Sequence, residues 1–187
     1  MMAAYSISVA NRQRALRIGG AGIKRLARSV LAREQVASAQ LSVAIVDDRQ
    51  IHAVNRRYLQ HDFPTDVISF LFEERGEPNG RIRRGAGKKL DGEIIISAET
   101  ALRNARDHET SWQQELALYL VHGLLHLCGY DDTTPREKRL MRRREAEAMN
   151  EWAGAEKRAR RQGETKKRKG EKSKTVKAGK KSETSKE

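Results

Sequence analysis

His122 and His126 stand four residues apart within residues 116–128, a stretch that is apolar almost throughout. On a helix that spacing puts two imidazoles on one face, one turn apart, where they can grip a single ion. Two residues of one helix cannot complete a coordination sphere. Gly129 ends the helix as a C-terminal cap does, and Tyr130-Asp131-Asp132 turns the chain back within reach. A third ligand from that turn would leave one position open to water, the arrangement of catalytic rather than structural zinc. The spacing by itself also fits two core histidines, each satisfied by a hydrogen bond. One class is demoted directly. A zinc protease of the His-Glu-x-x-His kind needs a glutamate beside the first histidine as general base, and this chain has Gly123 there.

The helix carrying the pair spans about residues 110–127, with Ser111 and Gln114 at capping-box spacing. Its second half is apolar nearly all round, which means burial. Before it, residues 5–9 (YSISV) alternate as a strand, and residues 12–33 show helical spacing with a plausible break at Gly19, Gly20 and Gly22. Residues 41–46 (LSVAIV) read as a strand, and Asp47-Asp48 open a helix of about three turns with Ile51, Val54 and Tyr58 on one face. Pro64-Thr65-Asp66 is a turn before a strand at 67–72; residues 73–89 read as a charged, Gly-rich loop. Asp91-Gly92 reads as a second turn, followed by a strand at 93–97 and a helix at 98–107. Pro135 opens a last, charged helix to about Trp152. The order predicts an α+β fold: a small mixed sheet of about four strands packed by about five helices, with the metal site on a buried helix.

The chain has 187 residues, a net charge of +13 and one cysteine, Cys128, so no internal disulfide can form. Residues 156–187 hold 14 basic and 5 acidic residues, a net of +9, which leaves +4 for the rest. Val176 is the only larger aliphatic in that segment, so it reads as a disordered basic tail after a domain at 1–155. Excess positive charge suits an anionic partner such as RNA. No apolar run approaches the ~20 residues of a bilayer span. The first twenty residues lack the unbroken apolar stretch of a secretory signal, so a soluble cytoplasmic protein is the expectation.

The run His122-Gly-Leu-Leu-His-Leu-Cys-Gly-Tyr-Asp-Asp132 resembles the signature of the YbeY family of single-strand-specific endoribonucleases, which reads His-Gly-x-Leu-His-Leu-x-Gly-Tyr-Asp-His. Asn55 to Tyr58 and the stretch from Asp62 to Phe70 resemble the family's Asn-x-x-Tyr and Asp-x-Pro-Thr-Asp-Val-Leu-Ser-Phe. Gly92-Glu93-Ile94 is similar to its Gly-Asp-Ile, and the helix near Glu137 to its acidic closing helix. The resemblance runs over about residues 5–152 and omits the tail. It implies an α+β fold, one zinc ion per chain, hydrolysis of single-stranded RNA, and work on small-subunit (16S) ribosomal RNA and the small ribosomal subunit. The implied metal ligands are His122, His126 and the residue at Asp132.

Three positions depart from that pattern. Asp132 stands where the family has histidine; a carboxylate binds zinc, and two histidines with one carboxylate also suit other divalent metals such as iron. Asp132 could instead cap the following turn, with Asp131 or a water taking the site. Leu59 stands where the family has an arginine after the tyrosine, a natural clamp for a phosphate oxygen. Arg56 and Arg57, within one turn, are the candidate substitutes. Glu93 replaces aspartate. The rival to a nuclease is a ribosome-assembly factor whose metal is structural.

Overall fold

The computed structural model describes residues 4–75 and 84–183. Its elements are β1 (Ala4–Asn11), α1 (Gly20–Arg33), β2 (Ser38–Val46), α2 (Asp48–Leu59), β3 (Val67–Arg75), β4 (Lys89–Ser97), α3 (Ala98–Asp107), α4 (Trp112–Leu127) and α5 (Pro135–Glu183). The four strands form one mixed sheet in the order β1-β2-β4-β3. β1 and β4 flank β2 in parallel, and β3 closes the other edge antiparallel to β4. Four strands and five helices among the described residues make the α+β fold that the residue pattern predicts.

The second half of each central strand is buried, as expected where helices cover both faces. Side chains alternate along a strand, so the two faces can be assigned. Ile51 of α2 packs with Ala44, Val46, Ile68 and Ile95, and Val54 and Phe70 close that cluster. On the opposite face α4 approaches so closely that a Cβ at Gly123 would lie 3.1 Å from Ile94 Cγ2. α1 buries Ile23, Leu26, Val30 and Leu31, and it packs on β1 and α4.

Several boundaries differ from the sequence expectation. α1 begins at Gly20, so the glycines delay the helix rather than breaking it. Asp91-Gly92 is no turn: both residues lie inside β4, paired with β2 on one side and β3 on the other. A Cβ at Gly92 would sit 2.6 Å from the Phe70 carbonyl oxygen and 3.3 Å from Leu127, so the glycine serves a close approach in the sheet. β3 runs on to Arg75 and β4 starts at Lys89, which shortens the expected loop at 73–89; its residues 76–83 lie outside the described ones.

Packing divides the chain into two compact units, Met1–Met149 and Asn150–Glu187. Taken by itself, the second unit is helical to Glu183, where the sequence reading ends the helix near Trp152 and expects disorder from residue 156. Lys, Arg, Glu and Ala dominate that stretch and are strong helix formers without any packing.

Candidate metal centre

α4 is set by its two ends. Ser111 accepts from the Gln114 amide, and the Gln114 side chain returns a bond to the Ser111 amide, the reciprocal box that the sequence suggests. At the other end the Tyr130 amide donates to the Leu125 carbonyl and the Gly129 amide to His126, with Gly129 at φ +89°. That pattern is a Schellman motif, and it requires a residue tolerant of the left-handed region. Its consequence is to fold Tyr130, Asp131 and Asp132 back along the helix end.

In the second half of α4, Val121, Leu124, Leu125 and Leu127 are buried, whereas His122 and His126 are only partly so. The two rings meet edge to face with centroids 4.5 Å apart, and their Nε2 atoms are 2.9 Å apart. Each Nδ1 is occupied elsewhere. His122 Nδ1 bonds Glu145 Oε1 of α5 at 2.7 Å, and His126 Nδ1 bonds the Tyr130 carbonyl at 3.1 Å. A carbonyl can only accept, and a carboxylate beside an imidazole does the same, so both rings carry their proton on Nδ1. Two Nε2 lone pairs then confront each other, which is stable only with a cation or a proton between them.

A carboxylate oxygen of Asp132 joins the group, and the three ligand atoms lie within 4.8 Å of one another. Asp131 is taken up by the turn: it accepts from the Asp132 amide at 2.7 Å and from the Thr133 hydroxyl at 2.9 Å. These bonds hold its carboxyl below the usual range. Burial lowers the pKa of His122, but the hydrogen bond and charge of Glu145 outweigh that and leave it raised. Burial, and then the proximity of His122, lower that of His126. Neutral Nε2 donors with their Nδ1–H groups anchored to a carboxylate and a carbonyl are the outer arrangement that metal-ligating histidines need. The residues present therefore fit a divalent cation with three protein ligands.

The turn is pinned from below. The Tyr130 hydroxyl donates to Glu34 Oε2 at 2.7 Å, and Arg144 donates to Glu34 Oε1 through Nη2 at 2.6 Å and Nε at 3.1 Å. Burial and Glu34 push the Tyr130 phenol up to about 12, so it stays a donor. Cys128 is buried, its thiol is likewise pushed up to about 12, and it is not part of the His122, His126 and Asp132 group.

The histidine pair opens on a cleft of about 380 Å³ walled by Leu59, Val67, Leu71, Gly123 and Leu127. Leu59 is thus the last residue of α2 to face the site. Arg56 and Arg57 are exposed on the same final turn and do not line the cleft; the Arg57 guanidinium lies 5.3 Å from the centre of the Tyr58 ring. Glu145 was not singled out from the sequence, although a signal exists: it lies on the same helical face as buried Met141 and Ala148. A carboxylate on a buried stripe needs a partner.

The endoribonuclease YbeY family model matches residues 8–153. The chain belongs to that family, a family of hydrolases. Among its relatives, the endoribonuclease YbeY of Syntrophotalea carbinolica is 43% identical over 143 residues, covering 75% of this chain and 91% of the relative. That of Pelotomaculum thermopropionicum is 41% identical, covering 68% and 82%. That of Bacillus subtilis is 40% identical, covering 61% and 73%. A solution structure of a Thermotoga maritima protein superposes with a TM-score of 0.51 over 81% of this chain and 93% of that one; at 21% identity it speaks for the fold alone. No helix among the described residues is long and apolar enough to cross a membrane.

Proposed function

We propose that this chain is a metal-dependent endoribonuclease that cuts single-stranded RNA in the maturation of small-subunit (16S) ribosomal RNA and in late ribosome quality control. In this reading it works in the cytoplasm with the small ribosomal subunit as partner and one zinc ion per chain. The observation that carries it is the confrontation of two anchored Nε2 donors, 2.9 Å apart, beside a carboxylate and at the wall of an open cleft.

His122, His126 and Asp132 would hold the ion. When bound, a divalent cation supplies Lewis acidity toward a phosphate oxygen and toward the attacking water. Glu145 keeps the His122 proton on Nδ1 and so keeps Nε2 available. The Tyr130 carbonyl does the same for His126. Val67, Leu71 and Leu59 give the cleft an apolar wall beside these ligands. Arg56 and Arg57 are the candidate phosphate clamp, acting on the strand as it enters beside α2. The carboxylate in place of a third histidine makes the site hospitable to other divalent metals.

A second reading is favoured by one observation. The cleft wall nearest the ligands at α2 is Leu59, which offers no charge to a phosphate, so an RNA-binding assembly factor with a structural metal would need nothing more. Labelled single-stranded RNA incubated with zinc-loaded protein separates the two. Wild type should cleave, and His122→Ala/His126→Ala should not. Cleavage by both, or by neither, removes the nuclease reading.

A further inference from the structure

Five large hydrophobic side chains are exposed among the described residues, and all fall within residues 58–72: Tyr58, Leu59, Phe63, Leu71 and Phe72. They come from the end of α2, the connector after it and the edge strand β3. Leu59 and Leu71 also wall the cleft that holds His122 and His126, so two of the five border the candidate metal centre.

The backbone presents these rings deliberately. β3 pairs Leu71 with Gly92 and Glu73 with Asp91, which leaves Phe72 as the extra residue of a bulge. A bulge breaks the alternation and re-aims a side chain, and Phe72 is 64% exposed in consequence. Phe63 is 56% exposed and lies nearly parallel to His61, with ring centres 5.4 Å apart and planes 11° off. Its carbonyl accepts from Asn55 Nδ2 at 2.8 Å, and buried Asn55 thereby fixes the connector to α2. A base arriving at Phe63 would extend a stack that already has two rings.

We propose that the rim of Leu59, Phe63, Leu71 and Phe72 seats the unpaired bases on either side of the phosphodiester that enters the cleft. The occupant is a single RNA strand, and the inference rests on the RNA-cleaving reading above. Charge favours that occupant: Arg56 and Arg57 are exposed on the same turn as Tyr58 and Leu59, where they meet phosphates while the rings meet bases. Stacking needs the base face, which a duplex keeps inside its own stack, so the rim gives a strand preference without reading sequence. A second copy docking face to face would instead bring two arginine pairs together at one isologous contact.

The test uses the full chain held in EDTA, so that binding is read without cleavage. A short single-stranded ribo-oligonucleotide carrying 2-aminopurine is compared with its abasic counterpart, which has the same phosphates and no bases. Phe63→Ala and Phe72→Ala should each weaken binding of the intact strand about tenfold, about 1.4 kcal/mol, and should reduce the quenching of 2-aminopurine. Phe72→Tyr should bind as wild type. The abasic strand and a duplex should bind all four proteins alike. Equal binding of the intact strand by wild type and both alanine variants overturns the inference. So does an equal loss for the abasic strand, or a wild-type dimer in sedimentation that the variants dissolve. Metal-loaded wild type is assayed for cleavage separately: failure there removes the nuclease reading and leaves the stacking result standing.

Discussion

The histidine pair was readable in the sequence because its spacing is a property of any helix, but the spacing could not say which nitrogen of each ring is free. That depends on Glu145, which lies 23 residues away on α5 and bonds His122 Nδ1 at 2.7 Å. For the third ligand the resemblance implied Asp132, with Asp131 or a water as the alternative. Asp131 is held by the turn, and a carboxylate oxygen of Asp132 lies within 4.8 Å of the histidine ligand atoms. Arg56 and Arg57 show the opposite case, since their proximity in sequence did not place them in the cleft. The outer bond from Glu145 leads to a definite expectation. Glu145→Ala should leave the fold intact yet weaken zinc binding on the order of 10–100-fold, with Glu145→Gln in between because its amide oxygen still accepts from Nδ1. Competition against a chromophoric chelator reads this directly. Affinity unchanged in Glu145→Ala would mean that His122 is oriented by packing alone.

Strands and helices were legible where one periodicity ruled, and misread where a glycine served packing. Asp91-Gly92 has the composition of a turn, yet it lies in a central strand because Leu127 and the Phe70 carbonyl crowd that point. Gly123 is the same lesson on the helix side: its missing side chain brings α4 down on Ile94 and Val67, and with them the histidine pair. What no local pattern reveals is how α2 is joined to α3. Asp48 opens α2, and its Oδ1 accepts from Ser97 Oγ at 2.5 Å and Thr100 Oγ1 at 2.9 Å, while Oδ2 pairs with Arg103. Glu99 completes the junction by accepting from the Asp48 amide at 2.9 Å. Burial acts to raise the Asp48 pKa, but these donors outweigh it and the folded value lies below the ordinary one. A depressed carboxylate contributes stability above its unfolded pKa and loses it as pH falls through the folded value. Asp48→Asn should therefore destabilise the protein by about 2 kcal/mol at neutral pH. The gap to wild type should close as pH drops below about 4. Urea unfolding of both proteins at neutral and acid pH checks it; a gap independent of pH would assign the junction to shape rather than charge.

The charge of the chain is divided unevenly, with a net of +9 on residues 156–187 against +4 on the remainder. The segment has strong helix formers and almost no apolar side chain, so its composition argues both for helical backbone and against a packed core. In the proposed RNA-cleaving reading, the contribution of this segment would be electrostatic. Covalently attached cations near a bound strand release counterions wherever they reach a phosphate, and that term carries no sequence preference. In that reading the unit at 1–149 carries the candidate metal centre, whereas the basic segment would add salt-sensitive affinity. Lys166, Lys167, Arg168, Lys169, Lys172 and Lys174 form its densest stretch. Replacing all six by glutamine should weaken single-strand binding at low salt and flatten the plot of log affinity against log salt. For single strands each phosphate contact is worth about 0.7 in that slope, so full engagement of the six predicts a change of about 4. Cleavage at saturating RNA should stay at the wild-type rate, because none of the six belongs to the histidine site. A slope that does not move would mean that the segment holds something other than the RNA being cut, and a fall in the saturated rate would place it in the chemistry.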